Sequence, residues 1–346
     1  MLSISPIIVA TMIDHGGALQ AAIAAHGGER ADWLDLSTGI SPVQLALPEL
    51  GCDIWRQLPD PAFAHQVSEL ARAFYNGAFA PTITPGSQAA IQHLPHLARH
   101  LKSGSNRVAI LSPTYGEYEA AFARAGFEVI AVASLTEAAD FDVVVLANPN
   151  NPDGRQFDAK AIAEFASSRG RRLTVVDEAF ADMHPEISIT FQAGKLEGLV
   201  VLRSFGKFFG LAGLRLGFVF ASSELTGILG ELLGPWAVSG PALEIARHAF
   251  SSSDLIDGQR EAIAKCHAIT SAAIANSGCE IVGKTALFFL LEVGEGAAFK
   301  ASLAKQNILV RAFTHSPSHV RIGLVGNDEQ AARLQQSLAQ ATSEVS

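Results

Sequence analysis

Short apolar runs that stop at polar or turn-forming residues recur through the middle of the chain. Val143-Val144-Val145-Leu146-Ala147 shows the pattern best, because it has no period-two alternation and is followed at once by Asn148-Pro149-Asn150-Asn151-Pro152. A continuous run of that length reads as a strand buried on both faces. The same pattern predicts strands at 108–111, 128–131, 173–176, 199–202 and 216–220. Between them, apolar residues three and four apart predict helices at 87–101, 116–125 and 159–168, with a further one near 187–194. Strands and helices in alternation build a mainly parallel sheet covered on both faces, an α/β architecture. Ligands of such sheets bind beyond the carboxyl ends of the strands, so chemistry is sought just after each one.

The flanks read differently. A forty-residue arm holds a short helical segment at 18–26, closed by Gly27-Gly28, and a strand at Leu34-Asp35-Leu36 that runs into the turn Ser37-Thr38-Gly39-Ile40-Ser41-Pro42. A helix is predicted at 62–76, with Val67, Leu70, Ala71 and Phe74 on one face and Gly77 ending it. After Gly234-Pro235 come one long helical region at 241–276, strands at 286–291, 308–310 and 319–324, and a last helix at 328–341. The expected organisation is an N-terminal arm, 1–40, packing with the small domain; a large domain, 41–235; and a small C-terminal α+β domain, 236–346.

Composition narrows the function. The 346 residues are 49% hydrophobic and 17% charged, with a mean hydropathy of +0.25. No apolar run approaches the ~18 residues of a membrane span. With 25 Lys+Arg against 34 Asp+Glu, the formal charge is −9. That balance argues against a nucleic-acid or anionic-membrane surface while leaving a small anionic ligand open. The odd, widely spaced Cys52, Cys266 and Cys279 match neither a zinc spacing nor a disulfide framework, and are expected to be buried thiols in a reducing compartment. No metal site is expected. Residues 1–13 are apolar but lack a basic leader, so a cytoplasmic location is expected.

Nucleotide motifs fail: Gly206-Lys207 is followed by Phe208 rather than Ser or Thr, and no Gly-x-Gly-x-x-Gly follows the first strand of the sheet. What remains stands at successive strand ends. Asn148-Pro149-Asn150-Asn151-Pro152 follows 143–147, Asp177-Glu178-Ala179-Phe180 follows 173–176, and Ser204-Phe205-Gly206-Lys207 follows 199–202, with Arg215 eight residues beyond the lysine. Taken singly, these are a turn, a helix cap and a surface lysine. The ordered combination resembles the fold-type I enzymes that use pyridoxal 5′-phosphate, the aspartate-aminotransferase-like superfamily, over nearly the whole chain.

The resemblance implies a transferase fold whose large domain carries a mainly parallel seven-stranded sheet. It also implies roles for particular residues. Lys207 is the residue to which the cofactor aldehyde attaches, and Asp177 partners the pyridine nitrogen; these two are the catalytic candidates. Asn151 hydrogen-bonds the ring's phenolic oxygen, and Tyr115 stacks on the ring. Gly86, Ser87 and Gln88 open a helix that takes the cofactor phosphate together with Ser204 and Arg215. Three departures stand out: Phe180 and Leu58 where relatives often have tyrosine, and Gly206 where serine or threonine is common.

Within the superfamily, the N-terminal Asp14-His15-Gly16-Gly17-Ala18-Leu19, the 34–42 segment, the 308–313 segment and the 319–324 segment are similar to the cobalamin-biosynthetic threonine-phosphate decarboxylases, near relatives of the histidinol-phosphate aminotransferases. The implied reaction is decarboxylation of a phosphorylated amino acid, with transamination as the alternative and a non-catalytic binding protein as a remote one. The implied substrate contacts are His15, Gly39, Asn151, Arg311 and Arg321. Enzymes of this kind are generally homodimers.

Overall fold

The computed structural model describes residues 15–101 and 106–345. The start of the arm, including Asp14 of the N-terminal motif, lies outside them. In chain order the strands among the described residues are β1 (Leu34–Asp35), β2 (Thr82–Thr84), β3 (Arg107–Leu111), β4 (Glu128–Val132), β5 (Val143–Ala147), β6 (Leu173–Asp177), β7 (Leu199–Ser204), β8 (Gly217–Phe220), β9 (Glu280–Thr285), β10 (Phe288–Glu292), β11 (Ile308–Leu309), β12 (Arg311–Ala312) and β13 (His319–Gly323).

The apolar runs form the centre of a seven-stranded sheet of order β2-β8-β7-β6-β5-β3-β4, in which β8 alone is antiparallel to its neighbours. Every residue of β5, β6 and β7 is buried. Their side chains divide between two cores: Val144, Leu146, Val176 and Val201 face one layer of helices, and Val143, Val145, Val175 and Val200 face the other. Each such aliphatic side chain contributes about 1.5–3 kcal/mol on burial. The carboxyl ends of the three strands are thereby held by strands buried on both faces.

A four-stranded antiparallel sheet of order β12-β13-β10-β9 is formed by residues between 280 and 323. The arm joins it through β1, which pairs in parallel with β11 (Leu34 with Ile308, Asp35 with Leu309), while the Gly323 amide donates to the Leu36 carbonyl.

Four sequence expectations are corrected. The segment near 187–194 is a short 3-10 turn, Pro185–Ile187, followed by irregular turns. The Ile189 amide and the Ser188 hydroxyl both donate to the Glu178 carboxylate, at 2.8 and 2.5 Å, which anchors this turn to the end of β6. The region 241–276 is two helices, Gly240–Phe250 and Ser253–Ser277, separated where the Ser252 hydroxyl caps the second by accepting from the Leu255 amide. The helix Ser223–Leu233 and strands β2 and β9 were not expected; β9 alternates exposed and half-buried residues and so lacks the continuous apolar run used to find strands. Finally, of the three cysteines only Cys266 is buried: Cys279 is half-buried, and Cys52 is exposed in the turn before the helix Asp53–Arg56.

Candidate active site

The chemistry-bearing residues emerge where β5, β6 and β7 end. β5 gives way to the turn that carries Asn151. β6 ends on Asp177 itself, and β7 ends on Ser204, one short helical turn before Lys207. In front of these ends, between the two sheets, lies a cavity of about 1,110 Å³ lined by His15, Tyr115, Asn151, Lys207, Arg311 and Arg321. Six residues separated by as many as 306 positions in the chain are thus gathered by the fold into one site.

Lys207 is partly buried, and its ammonium lies 5.6 Å from the centre of the Phe180 ring. Its pKa is pushed down to about 8, by burial first and then by the charge of Arg321, with Asp177 opposing. A lysine so placed loses its proton readily and becomes a nucleophile. Asp177 is 5% exposed. Burial pushes its carboxyl up, against hydrogen bonds from Tyr118 (2.7 Å) and the Ala179 amide (2.9 Å) and against the charges of Lys207 and Arg203, which pull it down. Behind it, Arg203 is buried between Glu178 (2.7 Å) and Asp182 (3.1 Å), which ties β7 to the loop after β6.

The other candidate anion site is built from backbone. Gly86 has φ +81°, turning the chain into the helix Ser87–His100, whose N-terminus has no side-chain cap. Gly217 sits opposite Ser204 across β7 and β8, and a Cβ there would lie 2.7 Å from the Ser87 nitrogen, so only glycine lets the helix start come this close to Ser204. Arg215 closes the group: a Cβ on Gly86 would lie 2.8 Å from its Nη2. Arg215 is itself left-handed at φ +56°, a conformation costing of order 1–3 kcal/mol in a residue with a side chain. Free helix amides, a hydroxyl and a guanidinium converge here on a site suited to a phosphate.

Facing this group from the small sheet, Arg311 and Arg321 are register partners across β12 and β13. Arg321 is held by the Asn151 side-chain oxygen at 2.5 Å and the Ser37 carbonyl at 2.8 Å. Its buried Nε has no hydrogen-bond partner among the described residues. Burial and then Arg311 push its pKa down to about 10.

The remaining expected site residues fall as follows. His15 stands at the rim, with Nε2 2.9 Å from Glu117 Oε1. Gln88 turns its side chain away from the helix start, donating to Glu117 at 2.7 Å and accepting from the Tyr115 hydroxyl at 3.1 Å. Burial pushes that hydroxyl's pKa up to about 12. Gly39 packs beneath the cavity wall, where a Cβ would lie 2.7 Å from Phe180 and 3.1 Å from Phe288. Of the three departures, Phe180 is buried edge-on against Phe288, and Gly206 has no room for a side chain, its Cβ position lying 2.7 Å from the Ala212 Cα. Leu58 is 66% exposed, close in sequence to the exposed Trp55.

Sequence reasoning missed Tyr118, Glu117 and Arg203. Tyr118 falls in the helix predicted at 116–125, but nothing local points to its partner Asp177, 59 residues on. Among the described residues no group of three His, Cys, Asp or Glu side chains could hold a metal, and no helix is long and apolar enough to cross a membrane.

The family model for aminotransferase class I and II matches residues 43–338. A threonine-phosphate decarboxylase from Sinorhizobium sp is 41% identical over 339 residues, covering 94% of this chain and 98% of that protein. Another, from Pseudomonas aeruginosa, is 38% identical over 94% of this chain and 97% of its own length. Among solved structures, histidinol-phosphate aminotransferase from Sinorhizobium meliloti, in complex with pyridoxal-5′-phosphate, superposes with a TM-score of 0.82 at 18% identity, covering 99% of this chain and all of that one. At that identity the likeness is one of fold.

Proposed function

The chain belongs to the aminotransferase class I and II family, and from that premise we propose that it is a pyridoxal 5′-phosphate-dependent carbon–carbon lyase. The reaction is decarboxylation of L-threonine O-3-phosphate to (R)-1-aminopropan-2-yl phosphate and CO2, as in cobalamin biosynthesis. The reading is supported by relatives of that name that are similar over nearly their whole length.

The residues present fit the cofactor. The uncapped helix start at Ser87, with Ser204 and Arg215, suits its phosphate; the buried Asp177 carboxylate suits a protonated ring nitrogen; and Lys207, with a pKa of about 8, suits attachment to an aldehyde. Tyr115 supplies a ring face, and Asn151 an amide for the phenolic oxygen. When bound, the cofactor supplies a sink for the electron pair released at the substrate's Cα.

The chain's own work is to grip, orient and exclude water. Arg321, braced by Asn151 and the Ser37 carbonyl, is aimed to take the substrate carboxylate through its remaining N–H groups. Arg311, opposite it, takes the phosphate, with His15 closing from the arm and Gly39 keeping that wall thin. Two anions held at two guanidinium groups fix the Cα between them, and orientation decides which of its bonds breaks. Phe180, packed on Phe288, shields the Lys207 side from water, and in this reading Lys207 Nζ returns a proton to Cα.

The observation that carries the reading is the pairing of Arg311 with Arg321 on the cavity that holds Lys207. The test is kinetic. Arg311→Ala should raise KM for threonine phosphate far more than for threonine, whereas Arg321→Ala should weaken both. A ratio of kcat/KM for the two substrates left unchanged by Arg311→Ala contradicts the assignment.

The protein acts as a cytoplasmic homodimer in this reading. Exposed Trp55 and Leu58 lead into a surface cleft lined by Pro59 and Trp236, an apolar face that a second copy would cover.

A further inference from the structure

Asp177 is gripped at both carboxylate oxygens. Oδ1 accepts from the Ala179 amide two residues on, at 2.9 Å, and Oδ2 accepts from the Tyr118 hydroxyl, 59 residues away in sequence, at 2.7 Å. We propose that Tyr118 is a positioning residue for the cofactor, acting through Asp177 by fixing the carboxylate from the helix Glu117–Arg124. The inference rests on the reading above that Asp177 partners the ring nitrogen.

Several observations bear on it. Tyr118 is 1% exposed, and its hydroxyl reaches Asp177 across the interior rather than along its own element. Burial, and then the charge of Asp177, push its pKa well above 10, so the phenol keeps its proton and can only donate toward the carboxylate. A donor of this kind to a buried charge is stronger than a neutral hydrogen bond. Its ring meets Tyr115 edge-on, with centroids 5.6 Å apart and planes at 84°. One helix start therefore carries both the aromatic on the cavity wall and the donor beneath it. The other charged and titratable groups facing Asp177 are Lys207 beside it, Arg203 from β7, and Tyr115 from the same helix start as Tyr118. Among the described residues, Oδ2 takes its hydrogen bond from Tyr118 and not from these groups.

Removing only the hydroxyl, by Tyr118→Phe, keeps the packing and leaves Oδ2 without that donor. Burial then pushes the Asp177 carboxyl higher, and its charge is lost at a higher pH than in the unaltered protein. Cofactor retention should fail from the acid side correspondingly earlier, a shift that a packing defect does not produce.

The experiment measures equilibrium release of pyridoxal phosphate from holoenzyme of the unaltered protein, Tyr118→Phe, Asp177→Asn and the double variant, between pH 6 and 9, with melting curves alongside. The expected result is a Kd raised about tenfold in Tyr118→Phe, raised further in Asp177→Asn, and no higher in the double variant than in Asp177→Asn alone. Should Tyr118→Phe fail to fold, 4-aminophenylalanine at 118, which keeps a para donor, should hold the cofactor to within a few-fold of the unaltered protein. The proposal is overturned if Tyr118→Phe retains cofactor as the unaltered protein does, if its effect is undiminished in the Asp177→Asn background, or if the 4-amino variant releases cofactor more than about tenfold more readily. If instead Asp177→Asn itself retains cofactor normally, the role of Asp177 falls, and the inference falls with it.

Discussion

Arg311 and Arg321 face each other directly across β12 and β13, so both guanidinium groups leave the small sheet on the side where Lys207 stands. Like charges in that arrangement are destabilising by some tenths of a kcal/mol to about 1 kcal/mol, and the strain registers at Arg321, whose pKa is depressed to about 10 by burial and then by Arg311. Two guanidinium groups on one wall of the cavity suit it to a substrate that carries two anionic groups.

Inorganic phosphate should therefore raise the melting temperature of the holoenzyme, in which the cofactor already fills its own phosphate site. Saturation to 100 Kd is worth about 2.7 kcal/mol. Arg311→Ala should abolish most of that gain. An undiminished phosphate-dependent gain in the variant would show that the anion binds elsewhere.

Lys207 sets a pH dependence. Its pKa is lowered from 10.5 to about 8, so above about pH 8 the amine is neutral and nucleophilic, and below it the amine is increasingly protonated and inert. Stopped-flow uptake of pyridoxal phosphate by apoprotein should rise with pH about a midpoint near 8. A midpoint near 10 would mean that the lysine is not desolvated. Borohydride reduction and peptide mapping of the product should place the label on Lys207 and on no other lysine.

Gly206 is a steric requirement as well as a departure from the common pattern. Restoring a hydroxyl by Gly206→Ser puts a Cβ 2.7 Å from the Ala212 Cα. Overpacking of this kind costs about 1–3 kcal/mol. The variant should melt several degrees lower and bind the cofactor more weakly, because Lys207 is the next residue. Unchanged melting together with tighter cofactor binding would show that the backbone can give way there.

What could be read from the sequence follows physical range. β5, β6 and β7 are built on largely apolar runs, and Asn151, Asp177 and Lys207 stand at or within a few residues of their ends, so local pattern alone locates these three. The bond from Tyr118 to Asp177 spans 59 residues and that from Arg321 to Asn151 spans 170, and no periodicity reports such partners. The opposition of Arg311 to Arg321 is a matter of register, since a slip of one residue would turn either side chain to the other face. The segment near 187–194 likewise answers to a partner outside the local window, since Glu178, ten residues back, accepts from the Ser188 hydroxyl and the Ile189 amide.

The central claim is that this site breaks the bond from Cα to the carboxylate of a phosphorylated amino acid. The direct measurement is turnover by purified holoenzyme of carboxyl-labelled L-threonine O-3-phosphate, and separately of histidinol phosphate with 2-oxoglutarate. Labelled CO2 should be released in equal amount with aminopropyl phosphate, and the second mixture should yield no glutamate. Glutamate formed at a comparable rate, with no CO2 from threonine phosphate, would contradict it.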